Sequence, residues 1–395
     1  MVATPACSEN PEFFGEQTQD IIYSIKVNLL KNLVLLPFFL LSACATQNIS
    51  VVSNTALKDR CTASVSCTEF YKLKDPIRED ENFESSEFIL KTANRNPKGT
   101  ALDLNENGAY GDKNKAHDVT KLGPWFIDNQ KPGADVIIAG IYKSDADAIG
   151  RGIKILKWGF NQQREDGSYT SGDVYHTVSY FLAVASRAVL HLKNSKFESQ
   201  FTEDISYLKI GIEKTANWLI QKNVEEPGLK IDAPYVHRFY MNGVALGLSG
   251  VLLNREDLIL RSRELIKQGL ARQNPDGSNP EKGGTDTSYH ALGLYFAAQY
   301  DSIVADAGFK KDLRAMGEKG AKWLASKVLE NGDIDASENT RTGPNGEKRY
   351  GTELKTITYL MIYKSLAYWG RILNAPDLTQ AAKKVFDFNE TLRKR

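Results

Sequence analysis

Three short segments of this sequence combine imidazole, phenol, carboxylate and cationic side chains at a density that suits proton-transfer chemistry. Each segment leads from a polar loop into a long apolar stretch. Three of the five histidines, His176, His237 and His290, stand near the start of such a stretch. The segments are 163–169 with 173–176, then 232–242, and then 274–290. We therefore look in these segments for an acid, a base and groups that bind an anionic ligand.

The charge of the chain is nearly balanced. Its 395 residues include 50 Lys and Arg and 49 Asp and Glu, so the net charge is +1. A dedicated nucleic-acid binder gains much of its affinity from a basic footprint on phosphates, so this balance argues against that class of protein. A local basic groove for an acidic ligand stays compatible with it, because net charge averages over all faces. The 17 Phe, 17 Tyr and 5 Trp exclude disorder along the whole chain.

The elements that position the three segments are predicted to be helices. Four stretches are long and apolar nearly all round, which is typical of helices buried on most sides. Three stretches between them carry apolar residues at steps of three and four, with charges elsewhere, which indicates half-exposed helices. The apolar stretches are 174–190, 237–253, 286–300 and 352–373, and the amphipathic ones are 203–221, 256–272 and 310–329. Buried and amphipathic helices are thus expected to alternate.

Turn-forming pairs that end in glycine recur at intervals of about 50 to 60 residues. They are Asn107-Gly108, Asp166-Gly167, Pro227-Gly228, Asp276-Gly277 and Asn331-Gly332. Aspartate suits such turns without any further role, so we interpret the acidic residues as turn formers. Repeated helical hairpins of this size build a solenoid or a closed toroid. An open solenoid leaves one face of every helix wet, so the fully apolar set favours an all-α fold, an (α/α) toroid with the loops on one rim.

From residue 237 onward the sequence resembles the central part of alginate lyases and related (α/α) polysaccharide lyases. Those enzymes place a histidine at the start of an inner helix, in an Asn-Asn-His-x-Tyr-Trp pattern. One hairpin later they have a basic loop and then Tyr-His, which opens the next inner helix. The corresponding residues here are Tyr235-Val236-His237-Arg238-Phe239-Tyr240 and Tyr289-His290. The family's Asn falls on Val236 and its Arg on Lys282, and a lysine lacks the bidentate fork of arginine.

The resemblance implies elimination from a uronate-containing glycan. Tyr289 would be the base, the acid or both, and His237 would be a second proton-transfer group or a neutraliser of the sugar carboxylate. A tyrosine hydroxyl ordinarily keeps its proton at neutral pH, so it needs a nearby cation to act as a base. Arg238 and Lys282 would bind substrate carboxylates, and no metal or other cofactor is required. Further substrate-binding candidates are Tyr240, Asn242, Tyr175, His176, Arg164, Trp125 and His290.

Other interpretations stay open at this point. A tyrosine can anchor a helix start through its hydroxyl, a histidine can be a satisfied core residue, and Trp125 and Arg164 can be packing and a solvated loop. A glycoside hydrolase on a similar toroid would instead use two carboxylates, with Asp173, Glu281, Asp286 and Asp232 as candidates. A lipid-anchored glycan-binding protein without catalysis is a third possibility.

The N-terminal region has the order of features found in a bacterial lipoprotein signal. Lys26 and Lys31 accompany an apolar run over 33–41 that is too short to span a membrane. Leu41-Ser42-Ala43-Cys44 resembles a lipobox, in which Cys44 would become the lipidated first residue. The expected organisation is a signal with an N-terminal extension over 1–44, a polar tether over 45–85 and a toroid catalytic domain over 86–395.

The other cysteines fit export. Cys7 lies in the segment that would be removed, and Cys61 and Cys67 are close enough to pair in an oxidising compartment, with two free thiols as the alternative. Ala45 after the lipidated residue favours, by resemblance, the outer membrane of a Gram-negative cell, facing periplasm or exterior. We expect a monomer that is anchored to the membrane by lipid and acts on an acidic polysaccharide.

Overall fold

The computed structural model describes residues 127–170, 173–304, 306–349 and 353–394. These ranges form eleven α-helices, preceded by a 3-10 turn at Ile127–Gln130. The helices are α1 (Pro132–Lys143), α2 (Ala146–Asn161), α3 (Val174–Lys193), α4 (Thr202–Leu219), α5 (Lys222–Asp232), α6 (Val236–Leu253), α7 (Glu256–Leu270), α8 (Thr287–Ile303), α9 (Ala307–Ser326), α10 (Tyr359–Ile372) and α11 (Pro376–Lys394). Strands β1 (Lys348–Arg349) and β2 (Glu353–Leu354) pair antiparallel between α9 and α10. The described residues are thus all-α apart from this short ladder, as the sequence predicted.

The helices form two layers. In one layer α1, α3, α6, α8 and α10 follow one another, and each contacts the next. In the other layer α2, α4, α7, α9 and α11 each pack against the helix of the first layer that precedes them. Nearly every residue of α3, α6 and α8 is buried, whereas α4, α7 and α9 bury one face. The predicted alternation of buried and amphipathic helices is confirmed for this part of the chain.

The aspartates of two Asp-Gly pairs are turn formers, as expected. Asp166 Oδ1 accepts hydrogen bonds from the backbone N–H of Ser168 (2.9 Å) and from its hydroxyl (2.6 Å). Asp276 Oδ1 accepts the same two bonds from Ser278, at 2.9 and 2.7 Å. Each turn precedes a buried helix in the chain, α3 in one case and α8 in the other. The recurring Asp-Gly pair therefore has a structural role, which is to turn the chain before the buried helix begins.

Two details of the sequence prediction are wrong. Pro227-Gly228 is no turn but lies inside α5, where a Cβ on Gly228 would be 2.2 Å from the Tyr175 ring. The packing of this ring against the helix outweighs the local preference of Pro and Gly for a turn. The last buried helix begins at Tyr359 rather than at residue 352, because Lys355 exchanges backbone hydrogen bonds with Gly343 and Glu347 before the helix starts.

Several expectations lie outside the described residues. They concern the lipobox with Cys44, the Cys61–Cys67 pair, the tether over 45–85, the Asn107-Gly108 turn and Trp125. Among the helices that the structure describes, none has the length and apolar character needed to cross a membrane.

We expect Gly277→Ala to destabilise the domain more than Gly283→Ala, although both glycines have left-handed φ angles, +95° and +82°. A Cβ at Gly277 would lie 2.5 Å from the backbone oxygen of Lys319, whereas one at Gly283 would meet no atom within 4 Å. Gly283→Ala should lower the free energy of unfolding by about 1 kcal/mol, and Gly277→Ala by at least about 2 kcal/mol more. Urea denaturation measures both, and equal losses would contradict the proposed close approach.

Candidate active site

The starts of α6 and α8 bring His237 and Tyr289 together. Their ring centroids are 4.9 Å apart, with 37° between the ring planes. The loop before α8 is fixed to the start of α6 by backbone hydrogen bonds, from Val236 N to Pro280 O (3.3 Å) and from Lys282 N to Pro234 O (2.7 Å). His237 is buried and Tyr289 is half-buried. The two residues to which the resemblance assigns catalysis therefore share one site.

Asp286 determines where Tyr289 stands. Its Oδ1 accepts hydrogen bonds from the backbone N–H groups of Ser288 and Tyr289, both at 3.0 Å, and so caps α8. Its Oδ2 accepts from the backbone N–H groups of Arg341 (3.1 Å) and Thr342 (2.7 Å). One buried carboxylate thus ties the start of α8 to a loop that is more than fifty positions away in sequence.

Glu281 holds His237 with both of its carboxyl oxygens. Oε2 lies 2.7 Å from His237 Nδ1, and Oε1 accepts from the His237 backbone N–H at 3.0 Å. The Glu281 side chain is fully buried, and this burial raises its pKa to about 8. The same desolvation, together with the charges of Arg238 and Arg341, lowers the pKa of His237 well below its usual value. Burial thus favours the neutral form of both groups.

The neutral pair fixes the proton on the imidazole. A protonated Glu281 donates from Oε2 to Nδ1 while Oε1 accepts from the backbone, and this satisfies both observed contacts. The ring proton of neutral His237 is then on Nε2. Nε2 is buried and has no hydrogen-bond partner among the described residues. We infer that His237 presents an N–H donor, rather than a base, to a ligand in the site.

Arg341 is the cation beside Tyr289, and sequence reasoning missed it. Its guanidinium carbon lies 3.5 Å from the centroid of the Tyr289 ring and 4.7 Å from that of Tyr235. The side chain is 5% exposed, and its Nη1 is 3.6 Å from Glu281 Oε2. Nε and Nη1 have no hydrogen-bond partner within the described part of the chain. A buried guanidinium with unused N–H groups beside the half-buried Tyr289 suits an anionic ligand.

Two lysines complete a group of cations at this place, which we call the cation cluster: Lys282, Arg341 and Lys355. Glu347 lies among them. Lys282 Nζ is 2.9 Å from Glu347 Oε1. Arg341 Nε is 3.5 Å from Glu347 Oε2, and Lys355 Nζ contacts the same oxygen. Burial alone would raise the pKa of Glu347, but the bonds from Lys355 and Lys282 and the charge of Arg341 lower it to about 2. Glu347 is therefore ionised throughout the working pH range.

Arg238 and Asn242 lie beside the site but have partners of their own. Arg238 Nη1 is 2.6 Å from Asp232 Oδ1 and 2.9 Å from Asp173 Oδ2. Asn242 Nδ2 donates to Asp232 Oδ2 at 2.8 Å. Two carboxylates thus balance the charge of Arg238, and its guanidinium packs on Tyr235, 4.4 Å from the ring centroid. Arg238 therefore supports the wall of the site, while its Nε has no hydrogen-bond partner among the described residues; its binding of a substrate carboxylate stays a prediction.

The other candidates from the sequence are distributed between the site and the core. His176 joins the site, with its ring centroid 6.3 Å from that of His237; burial lowers its pKa well below the usual value. Tyr240 is fully buried, close to Gly269 of α7. His290 accepts from the backbone N–H of Asn279 and bonds the Gly320 carbonyl, so both ring nitrogens have structural partners.

Two candidates lie on neighbouring elements. The Tyr175 ring is buried against Gly228 of α5. Arg164 is exposed and donates to Thr170 Oγ1 at 2.5 Å.

Lys282 is where a basic residue was expected, but Arg341, from a loop without helical periodicity, is the cation that covers Tyr289. No local sequence pattern predicts that approach, since a long-range contact creates it.

Comparison with known proteins adds no further assignment. No family model, no curated protein and no solved structure matches this chain. Within the described ranges, no three His, Cys, Asp or Glu side chains form a group that could hold a metal ion. The case for a function therefore rests on the geometry around Tyr289.

Glu281→Gln should flatten the dependence of stability on pH. A carboxyl whose pKa is about 8 in the folded state and 4.5 ordinarily binds its proton more tightly when folded. The stabilisation that this tighter binding gives to the folded state is complete below pH 4.5 and is lost as the pH rises to 8. Between these values the free energy of unfolding should fall by up to about 1.4 kcal/mol per pH unit, and this component should vanish in the variant. Urea denaturation at pH 5, 6, 7 and 8 measures the difference, and parallel curves would contradict the neutral pair.

Proposed function

We propose that this protein is a polysaccharide lyase that cleaves a uronate-containing, alginate-like glycan by β-elimination. The observation that carries the proposal is the contact of Tyr289 with Arg341 on its ring face and with His237 beside it. Elimination next to a sugar carboxylate needs a base, an acid for the leaving oxygen and groups that neutralise the carboxylate. These three residues supply all of these groups in one place.

Arg341 and His237 neutralise the carboxylate of the substrate sugar in this proposal. The proton on the carbon beside the carboxylate becomes accessible only when donors and cations face the carboxylate oxygens. Arg341 offers N–H groups without partners among the described residues, and His237 offers Nε2–H. Both side chains are buried, and low solvent access strengthens such contacts. The arrangement is organised before substrate arrives, because Glu281 and Asp286 hold it through hydrogen bonds.

Proton transfer falls to Tyr289. As a phenolate, with the Arg341 guanidinium against its ring, Tyr289 takes the proton from the carbon beside the carboxylate. The bond between the next carbon and the glycosidic oxygen then breaks, and a double bond forms between the two carbons. The proton passes from the Tyr289 hydroxyl to the leaving oxygen, so the residue returns to its starting charge state. His237 stays a donor throughout, as its bond to Glu281 requires.

The fold that we propose for this enzyme is an incomplete (α/α) toroid. Its support is the layered order of the helices, with the buried set in one layer and the amphipathic set in the other. A contact between the ends of the buried series adds to this. Lys364 Nζ of α10 lies 3.4 Å from Asp135 Oδ1 of α1, so the last buried helix comes back to the first.

The proposed location is the cell envelope, with a lipid on Cys44 and the catalytic domain facing periplasm or exterior. The support is the cationic, apolar and small-residue order that ends in Leu41-Ser42-Ala43-Cys44. An acidic polysaccharide is a polymer that such a protein would meet outside the cytoplasm.

The alternative of a two-carboxylate hydrolase receives less support. Asp286 uses both oxygens on backbone N–H groups. Glu281 binds His237, Asp232 binds Arg238 and Asn242, and Asp173 pairs with Arg238. Each candidate carboxylate thus has partners that a catalytic acid or nucleophile would have to give up. A glycan-binding protein without catalysis differs from the lyase in turnover alone.

Tyr289→Phe should abolish elimination. The domain from residue 86, or the full chain, is incubated with alginate, glucuronan and pectate, and the ultraviolet absorbance of the unsaturated uronate is followed. We expect the parent to produce this signal and the variant to lose about 10²- to 10⁴-fold in rate, because the proton-transfer group is removed.

Tyr207→Phe is the matched control for this experiment, since its hydroxyl is on α4 and donates to Asn161. It should keep the parental rate. New reducing ends without the double bond would instead favour the hydrolase. Binding without either product would favour the non-catalytic protein, and a parental rate in Tyr289→Phe would move the reaction to another residue.

Glu281→Gln should keep activity near neutral pH, because the amide can donate to Nδ1 and accept from the His237 backbone N–H as a protonated carboxyl does. The parent should lose activity above pH 8, because ionised Glu281 accepts a hydrogen bond from Nδ1–H, so that the ring proton is on Nδ1 and Nε2 has none to donate. The ratio of parental to variant rate should therefore fall between pH 7 and pH 9. Glu281→Leu should be poorly active at every pH, and a constant ratio would contradict the role given to Glu281.

A further inference from the structure

The cation cluster carries more than the elimination scheme uses. Arg341 and His237 are enough to neutralise one carboxylate, yet Lys282 and Lys355 stand beside them. Lys355 Nζ is 5.7 Å from the centroid of the Tyr289 ring, and the Lys282 side chain is 55% exposed. Three cations at the edge of a sugar site would attract any strongly anionic glycan, including sulfated ones.

Glu347 is placed where these cations meet. Each of the three has a nitrogen within ion-pair distance of its carboxylate. The backbone holds the residue in place, because Glu347 N donates to Arg341 O (3.0 Å) and Lys355 N donates to Glu347 O (2.9 Å). Its side chain is 22% exposed, so it faces the solvent from which a ligand arrives. A fixed negative charge thus stands at the edge of the proposed site.

We propose that Glu347 is a specificity-determining residue that admits uronate polymers whose carboxylates are the only anionic groups and excludes uronate polymers that also carry sulfate. Both lysines are ion-paired with Glu347, so an added sulfate could bind them only by sharing them with that carboxylate. It would then lie close to Glu347, and the two negative charges would repel each other. Arg341 keeps its unused N–H groups for the single carboxylate. This inference rests on the proposed function, because it takes the site beside Tyr289 to bind a sugar carboxylate.

The test measures binding, by calorimetry, of two polymers to the full chain and to Glu347→Gln. The probes are glucuronan, which has one carboxylate per sugar, and chondroitin sulfate, which has carboxylates and sulfates. We expect the variant to bind chondroitin sulfate at least about tenfold more tightly than the parent, and glucuronan less than about threefold more tightly. Glu347→Asp keeps the charge and should keep the parental preference.

Glu318→Gln is the control for net charge, since Glu318 pairs with exposed Lys322 on α9. It should change neither affinity by more than about twofold. Equal gains for both polymers in Glu347→Gln, or weaker binding of both, would overturn the specificity role. If the parent eliminates from uronates but Glu347→Gln keeps the parental preference between the two polymers, the role of Glu347 is wrong and the proposed function stands. If the parent neither binds nor cleaves glucuronan, alginate or pectate, the proposed function fails.

Discussion

The carboxylate of Asp286 is fully buried and divides its two oxygens between separate parts of the chain. One oxygen caps α8 and so fixes Tyr289; the other binds the backbone N–H groups of Arg341 and Thr342. A buried carboxylate without such partners would be costly, so the loop and the helix start are held to each other. The contact of the Arg341 guanidinium with the Tyr289 ring follows from this constraint.

Burial also sets the protonation of the site. The apolar layer of helices excludes water from Glu281 and His237, and desolvation disfavours the charged form of each. The neutral form of each group is favoured as a result, and in a neutral pair the hydrogen bonds select one tautomer of the imidazole. The candidate site therefore contains a neutral donor and a buried cation side by side, a combination that suits an anion better than a site with two charged, mutually repelling groups.

The cations around Tyr289 differ in their exposure to solvent. Arg341 is buried and contacts the rings of Tyr289 and Tyr235, whereas Lys282 is exposed and is paired with Glu347. The buried cation has N–H groups without hydrogen-bond partners among the described residues. Such an order would separate the group that neutralises a substrate from a group that selects it.

The sequence by itself determined the helices. Apolar periodicity predicted α3, α4, α6, α7, α8 and α9 to within a few residues, because burial of a helix face leaves its signature in local spacing. It also placed His237 and Tyr289 at two adjacent helix starts. Tertiary structure decided what the sequence could not: that Arg341 covers Tyr289, that Glu281 binds His237, and that Pro227 lies within a helix. These features depend on contacts between residues far apart in the chain, and on the water that packing excludes, neither of which has a local pattern.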